Sequence, residues 1–158
     1  MGRRVLFEKK CVKYLFDLLI TISKMNSIGL LLIRLILGIV FIVHGAQKVF
    51  GWFGGSGLEK WGNYLSTFSI PKSLSPLIAI TELLFGITLL VGLFTRSSAL
   101  VAFVFMLFAI FLAHYDKGFF VNKGGYEYAL VLAIVSLSLY FTGAGEYSVD
   151  KTFVSKQK

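Results

Sequence analysis

Residues 28–50 read IGLLLIRLILGIVFIVHGAQKVF. A membrane-crossing helix needs about 20 mostly apolar residues to cover a hydrocarbon layer roughly 30 Å thick, and this stretch supplies them with Arg34, His44, Gln47 and Lys48 as its strongly polar members. Three more apolar stretches follow, from Leu74 to Phe94, from Ser97 to about His114, and from about Tyr126 to Phe141. The last is short, so it either begins upstream near Val121 or sits with little tilt. Pro71 and Pro76 bracket the start of the second stretch, where proline suits a first helical turn. The brief Thr95-Arg96-Ser97-Ser98 connection makes the second and third helices antiparallel neighbours. The pattern predicts an all-α, integral membrane four-helix bundle.

Composition points the same way. The chain has 158 residues, the size of one domain. It is 56% hydrophobic and 15% charged, with a mean hydropathy of +0.79. Soluble domains run at roughly 45–50% and about 25%, so a soluble globule is disfavoured. Sixteen Phe, seven Tyr and two Trp exclude a disordered polar chain. A net charge of +8 raises nucleic-acid binding, but basic residues in so apolar a chain act as topology determinants at the cytoplasmic face. Arg3, Arg4, Lys9, Lys10, Lys13, Lys24, Arg96, Lys151, Lys156 and Lys158 make ten on one side. Lys60, Lys72, Lys117 and Lys123 make four on the other. Both termini are therefore expected in the cytoplasm. The lone Cys11 excludes an intramolecular disulfide, a CxxC pair or a four-cysteine metal site.

The chain divides into a basic extension at 1–26, the helical domain at 27–150 and a polar tail at 151–158. Val5 to Ser23 mixes Lys9, Lys10 and Lys13 with Phe16, Leu19 and Ile20, a pattern suited to an amphipathic helix in the cytoplasmic interface. Met25 directly precedes the first span and is an alternative start to Met1. A signal peptide cleaved after Ala46 is disfavoured by Arg34 within the apolar run. In the first outer loop, Leu58, Trp61, Leu65 and Phe68 recur every three or four residues and predict a short interfacial helix, either an anchor or a lid over the bundle. The glycines before it fail the phosphate-loop spacings.

Charges inside spans cost about 2.5–3.5 kcal/mol each at a helix centre, so they face protein and mark function or register. Arg34, His44, Gln47, Lys48, Glu82, His114 and Glu127 are the candidates. All except Arg34 fall in the outer half by helical rise. Arg34 lies deeper, with Glu82 its nearest acidic candidate in depth. The set reads either as structural ion pairs or as a polar pocket for a small ligand or quinone headgroup, with His44 hydrogen bonding and Glu82 relaying a proton. His44 and His114 make a bis-histidine haem conceivable, yet paired interfacial histidines more often serve ordinary hydrogen bonding. No metal site is expected, because the acidic candidates are spread over three helices, and no catalytic triad spacing is present.

Three motifs carry a resemblance. Arg34-Leu35-Ile36-Leu37-Gly38 through Phe41, His44-Gly45-Ala46-Gln47-Lys48 and Phe50-Gly51-Trp52-Phe53-Gly54-Gly55 resembles the opening signature of the DoxX family. Glu82-Leu83-Leu84-Phe85-Gly86 through Gly92-Leu93-Phe94-Thr95-Arg96 is similar to its second helix. Gly124-Gly125-Tyr126-Glu127-Tyr128-Ala129, with Gly143 to Asp150, resembles its fourth helix and end. The resemblance covers about Ile28 to Asp150. It implies a four-helix bacterial inner-membrane protein with a redox connection, since relatives include membrane subunits of thiosulfate:quinone oxidoreductase. The expected function is the membrane component of a quinone-linked oxidoreductase system, with quinone bound rather than an intrinsic cofactor and a partner supplying electrons. The alternatives are a small-solute carrier using Arg34 and Glu82, and a scaffold for a soluble enzyme. The expected partners are the lipid bilayer and a redox enzyme, with no nucleic acid; a homo-oligomer stays open.

Overall fold

A computed structural model describes residues 2–155, with side chains described for 13–153. The basic side chains of Arg3, Arg4, Lys9, Lys10, Lys156 and Lys158, and the Cys11 thiol, lie outside the described residues.

The first helix, α1, runs unbroken from Gly2 to Phe50. The sequence division at residue 26 therefore falls inside one helix. No proline interrupts it, and its interior glycines, Gly29, Gly38 and Gly45, each cost only about 1 kcal/mol of helix propensity. Local hydroxyls are satisfied within the rod: Thr21 Oγ1 donates to Asp17 O at 2.9 Å and Ser27 Oγ to Ser23 O at 3.0 Å. From residue 13 to 50 the helix is about 57 Å long at 1.5 Å per residue, nearly twice the hydrocarbon thickness. Residues 13–26 are all exposed, and burial begins at Ser27.

A glycine-rich turn leads to α2 (Gly57–Ser66), and a single 3₁₀ turn (Lys72–Leu74) leads into α3 (Ser75–Val91). Pro76 sits in the first turn of α3, as its sequence position predicts. The helix ends at Gly92, which is left-handed at φ 73°. There the Gly92 N–H reaches Leu89 O and the Leu93 N–H reaches Thr88 O, closing a Schellman turn. After it α4 (Thr95–Ala109) returns antiparallel and widens into one π turn at Ile110–His114. Two 3₁₀ turns precede α5 (Glu127–Thr142), and α6 (Val149–Ser155) closes the chain. Of the two readings of the short fourth stretch, an upstream start at Val121 does not hold. Val121–Lys123 is a separate turn, and the Glu127 N–H is committed to Phe119 O across the loop.

Among the described residues three helical stretches are long and apolar enough to cross a membrane: Lys13–Phe50, Lys72–Val91 and Thr95–Lys117. The fourth, α5, is apolar but shorter, about 24 Å. In the bundle α1 packs chiefly on α3, α4 on α5, and α3 bridges to α4. The α1–α3 seam is close because of Gly38 and Gly86. A Cβ on Gly38 would come within 2.9 Å of Gly86 O, and one on Gly86 within 2.8 Å of the Ile42 nitrogen. Small residues that let helices approach replace the missing hydrophobic drive inside a bilayer. Phe41 and Phe85 meet edge to face at 4.8 Å beside Leu37, Leu89 and Ala133.

Candidate functional site

Helical spacing on α1 puts Phe41, His44 and Lys48 along one stripe, at intervals of three and four. They form one wall of a cavity of about 620 Å³, within the roughly 300–1,000 Å³ typical of small-molecule sites. Glu82 of α3 lies beside them. Trp61, Tyr64 and Leu65 of α2, with Phe68 just beyond its end, cover the cavity, so α2 is placed as a lid. Leu58 is not part of that lining. The opposite wall comes from α4 and α5, including Phe105, Met106, Tyr128 and Leu132. The π turn matters here: Leu112, Ala113 and His114 all line the cavity, whereas three consecutive residues of an α-helix spread over some 200°. Wide turns of this kind are frequent at functional sites.

The electrostatic centre is the ion pair of Lys48 and Glu82. Glu82 is only 2% exposed, while the Lys48 side chain keeps 19%. A carboxylate buried to that degree needs a partner, since an unpaired charge in a low-dielectric interior costs several kcal/mol. The ammonium also lies 4.6 Å from the Trp61 ring centroid and 5.4 Å from that of Phe105. One salt bridge and two ring faces thus surround it. His114 places Nδ1 2.7 Å from Gly124 O. A carbonyl only accepts, so Nδ1 is the donor in this contact. His44 lines the cavity without a hydrogen bond among the described residues.

Of the seven sequence candidates, His44, Lys48, Glu82 and His114 line this cavity. Arg34, Gln47 and Glu127 do not. Gln47 Nε2 donates to Phe53 O at 3.2 Å and ties down the loop between α1 and α2. Glu127 accepts from the Val121 N–H at 3.1 Å and holds the turn before α5. Arg34, 1% exposed, faces the other end of the bundle. Its guanidinium donates to Ala144 O at 2.9 Å and Tyr147 O at 2.6 Å, strapping the segment after α5. Asp150 completes the strap: its carboxylate accepts the Phe94 and Thr95 N–H groups at 2.7 and 2.9 Å, and its own N–H donates to Gly92 O.

The partner expected for Arg34 by depth, Glu82, belongs to Lys48 instead. The reason is helix register. Gly45 abuts Leu83, so Lys48 stands about half a turn beyond the level of Glu82. Gly38 abuts Leu90, which leaves Arg34 level with the Gly92 turn. A Cβ on Gly92 would collide with the Arg34 guanidinium. Among the described residues no group of three His, Cys, Asp or Glu can hold a metal ion. The sequence reading did not select Tyr64 or Tyr128 for the cavity, nor Asp150 for the strap. For the last, the available signal is an acidic residue five positions beyond the Gly143-Ala144-Gly145 run.

Residues 29–115 match the DoxX family profile. "Inner membrane protein YqjF" of Escherichia coli (strain K12) is 30% identical over 134 residues, covering 85% of this chain and 98% of that protein. "Putative oxidoreductase CatD" of Bacillus subtilis (strain 168) is 32% identical over 136 residues, covering 86% and 94%. No solved structure matches the chain at a significant level.

Proposed function

The chain belongs to the DoxX family, and from that premise we propose that it is the membrane component of a quinone-linked oxidoreductase system. In this reading four helices cross the inner membrane with both termini in the cytoplasm, and the cavity takes a quinone headgroup against His44, Lys48 and Glu82. Gln47 has no part in it, because its amide is committed to the Phe53 carbonyl. Glu82 exchanges protons with the ring oxygens, and a partner protein supplies the electrons. The observation that carries the proposal is a largely apolar cavity whose innermost polar feature is a buried ion pair with ring faces around it. Apolar lining with a few convergent polar groups is the usual form of a small-molecule site. The name oxidoreductase borne by the Bacillus subtilis relative agrees with it. The test is quinone titration of the purified full chain in nanodiscs, read by thermal shift and by quinone recovered in lipid extracts. Saturable binding weakened by Glu82→Gln is expected; no binding and no co-purified quinone would remove the reading.

The exposed residues 13–26 of α1 support a second reading, a scaffold for a soluble enzyme. They carry Leu15, Leu18, Ile22 and Met25 at 57, 55, 46 and 67% exposure. A chain started at Met25 is then expected to keep the bundle and lose the enzyme in co-purification. Retention of the enzyme by that chain would end the scaffold reading.

A further inference from the structure

The cavity's lining sorts by exposure. Away from the α2 cover, its floor is Phe41 at 1%, Glu82 at 2%, and Met106, Leu132 and Ala129 at 7%. Its rim is Tyr64, Leu74, Phe108, Leu112 and Tyr128, each 40% exposed or more. No charged residue is on that rim; the ionised pair lies at or near the floor. Polarity therefore falls from inside to outside, the reverse of a site filled from water, where charges gather at the mouth. The rim's position explains the inversion. Phe108 stands thirteen residues beyond Thr95, the first residue of a helix long enough to span. At 1.5 Å per residue that is about 20 Å along the span, inside a hydrocarbon layer roughly 30 Å thick. The exposed ring of Phe108 thus opens on lipid. Above the cavity, Trp61, Leu65 and Phe68 close the aqueous side, and Leu65 is 5% exposed.

We infer that the ligand is an amphiphile that enters sideways from the bilayer, polar ring first, and leaves its apolar tail across the rim formed by Leu74, Phe108 and Leu112. This rests on the quinone reading and narrows it to lipid-tailed quinones. The Lys48 ammonium keeps donors beyond its bond to Glu82, since it carries three; these meet a ring oxygen at the inner end. An isoprenoid or alkyl tail meets only carbon surface on its way out. A tailless, water-soluble quinone has to pass the aromatic cover and gains nothing at the rim.

The test uses the full chain in nanodiscs with two photoreactive analogues of a long-tailed benzoquinone, one with a diazirine early in the tail and one with an aryl azide on the ring. Tail adducts are expected on Leu74, Phe108 or Leu112, and ring adducts near Phe41, His44 or Glu82. Both should be lost when unlabelled long-tailed quinone is added. Saturable ring adducts at the inner end with tail adducts on Trp52, Phe53 or Asn63 of the outer loop would overturn lateral entry and leave the quinone reading standing. The absence of any competable adduct from either probe would overturn both.

Discussion

Two positive charges, Arg34 buried and Lys48 half-buried, lie fourteen residues apart on α1 and have opposite surroundings. Arg34 is sealed by its own chain: two backbone carbonyls accept its hydrogen bonds, and Gly92 leaves it just enough room. Lys48 is paired with Glu82 but stands at a cavity wall, with an exposed fifth of its side chain and two aromatic faces for company. One charge is spent on closure of the fold. The other is kept where a ligand can meet it. A charge within an apolar helix is therefore informative about function only once its fixed partners are known, because its place in such a helix is common to both.

The comparison breaks most readily at Arg34. Arg34→Leu strips the donors from Ala144 O and Tyr147 O, each loss costing about 1 kcal/mol or more. The melting temperature in detergent should fall by roughly 5 °C, while quinone affinity of the folded fraction stays unchanged. Glu82→Gln should do the reverse and raise the quinone Kd about tenfold, or 1.4 kcal/mol. If Arg34→Leu weakens quinone more than Glu82→Gln does, the two ends are not separate in function. Asp150→Ala removes the cap from α4, worth about 1 kcal/mol, and should lower the melting temperature by roughly 2–4 °C. The smallest effect is expected at the lid. Trp61→Phe keeps a ring over Lys48 and should be near neutral in stability, whereas a double-mutant cycle of Trp61→Ala with Lys48→Met should give a coupling of about 0.5–1 kcal/mol. A coupling of zero would mean that the ring and the ammonium are neighbours without attraction.

Much of the architecture was legible because apolar run length and Gly and Pro punctuation are local signals. The second and third spans and the lid helix all fall within a few residues of their predicted places. The continuity of α1 was less so, since basic residues before Ser23 resemble an interfacial segment whether or not a bend separates them from the span. Within the site, His44, Lys48 and Glu82 were readable as charges and a histidine in apolar runs. Their pairing was not. Depth counted from each helix's own end places Glu82 between Arg34 and Lys48, and only the contact of Gly45 with Leu83 sets the two helices in register. Arg34 was beyond reach for a different reason: it is answered by main-chain oxygens, which every residue has and no sequence pattern advertises. His114 enters the cavity through a π turn, a local widening that apolar periodicity does not reveal.

The strap also imposes an order on synthesis. The carbonyls that receive Arg34 lie 110 and 113 residues downstream, whereas Lys48 finds Glu82 after 34. A chain emerging from the ribosome thus has the materials for its cavity-side pair once α1 and the first half of α3 exist, but carries an unanswered guanidinium until the segment after α5 has been made. The closing segment is thus the last piece of the fold to find its partner: a chain ending before Ala144 leaves the buried Arg34 guanidinium without either of its carbonyl acceptors.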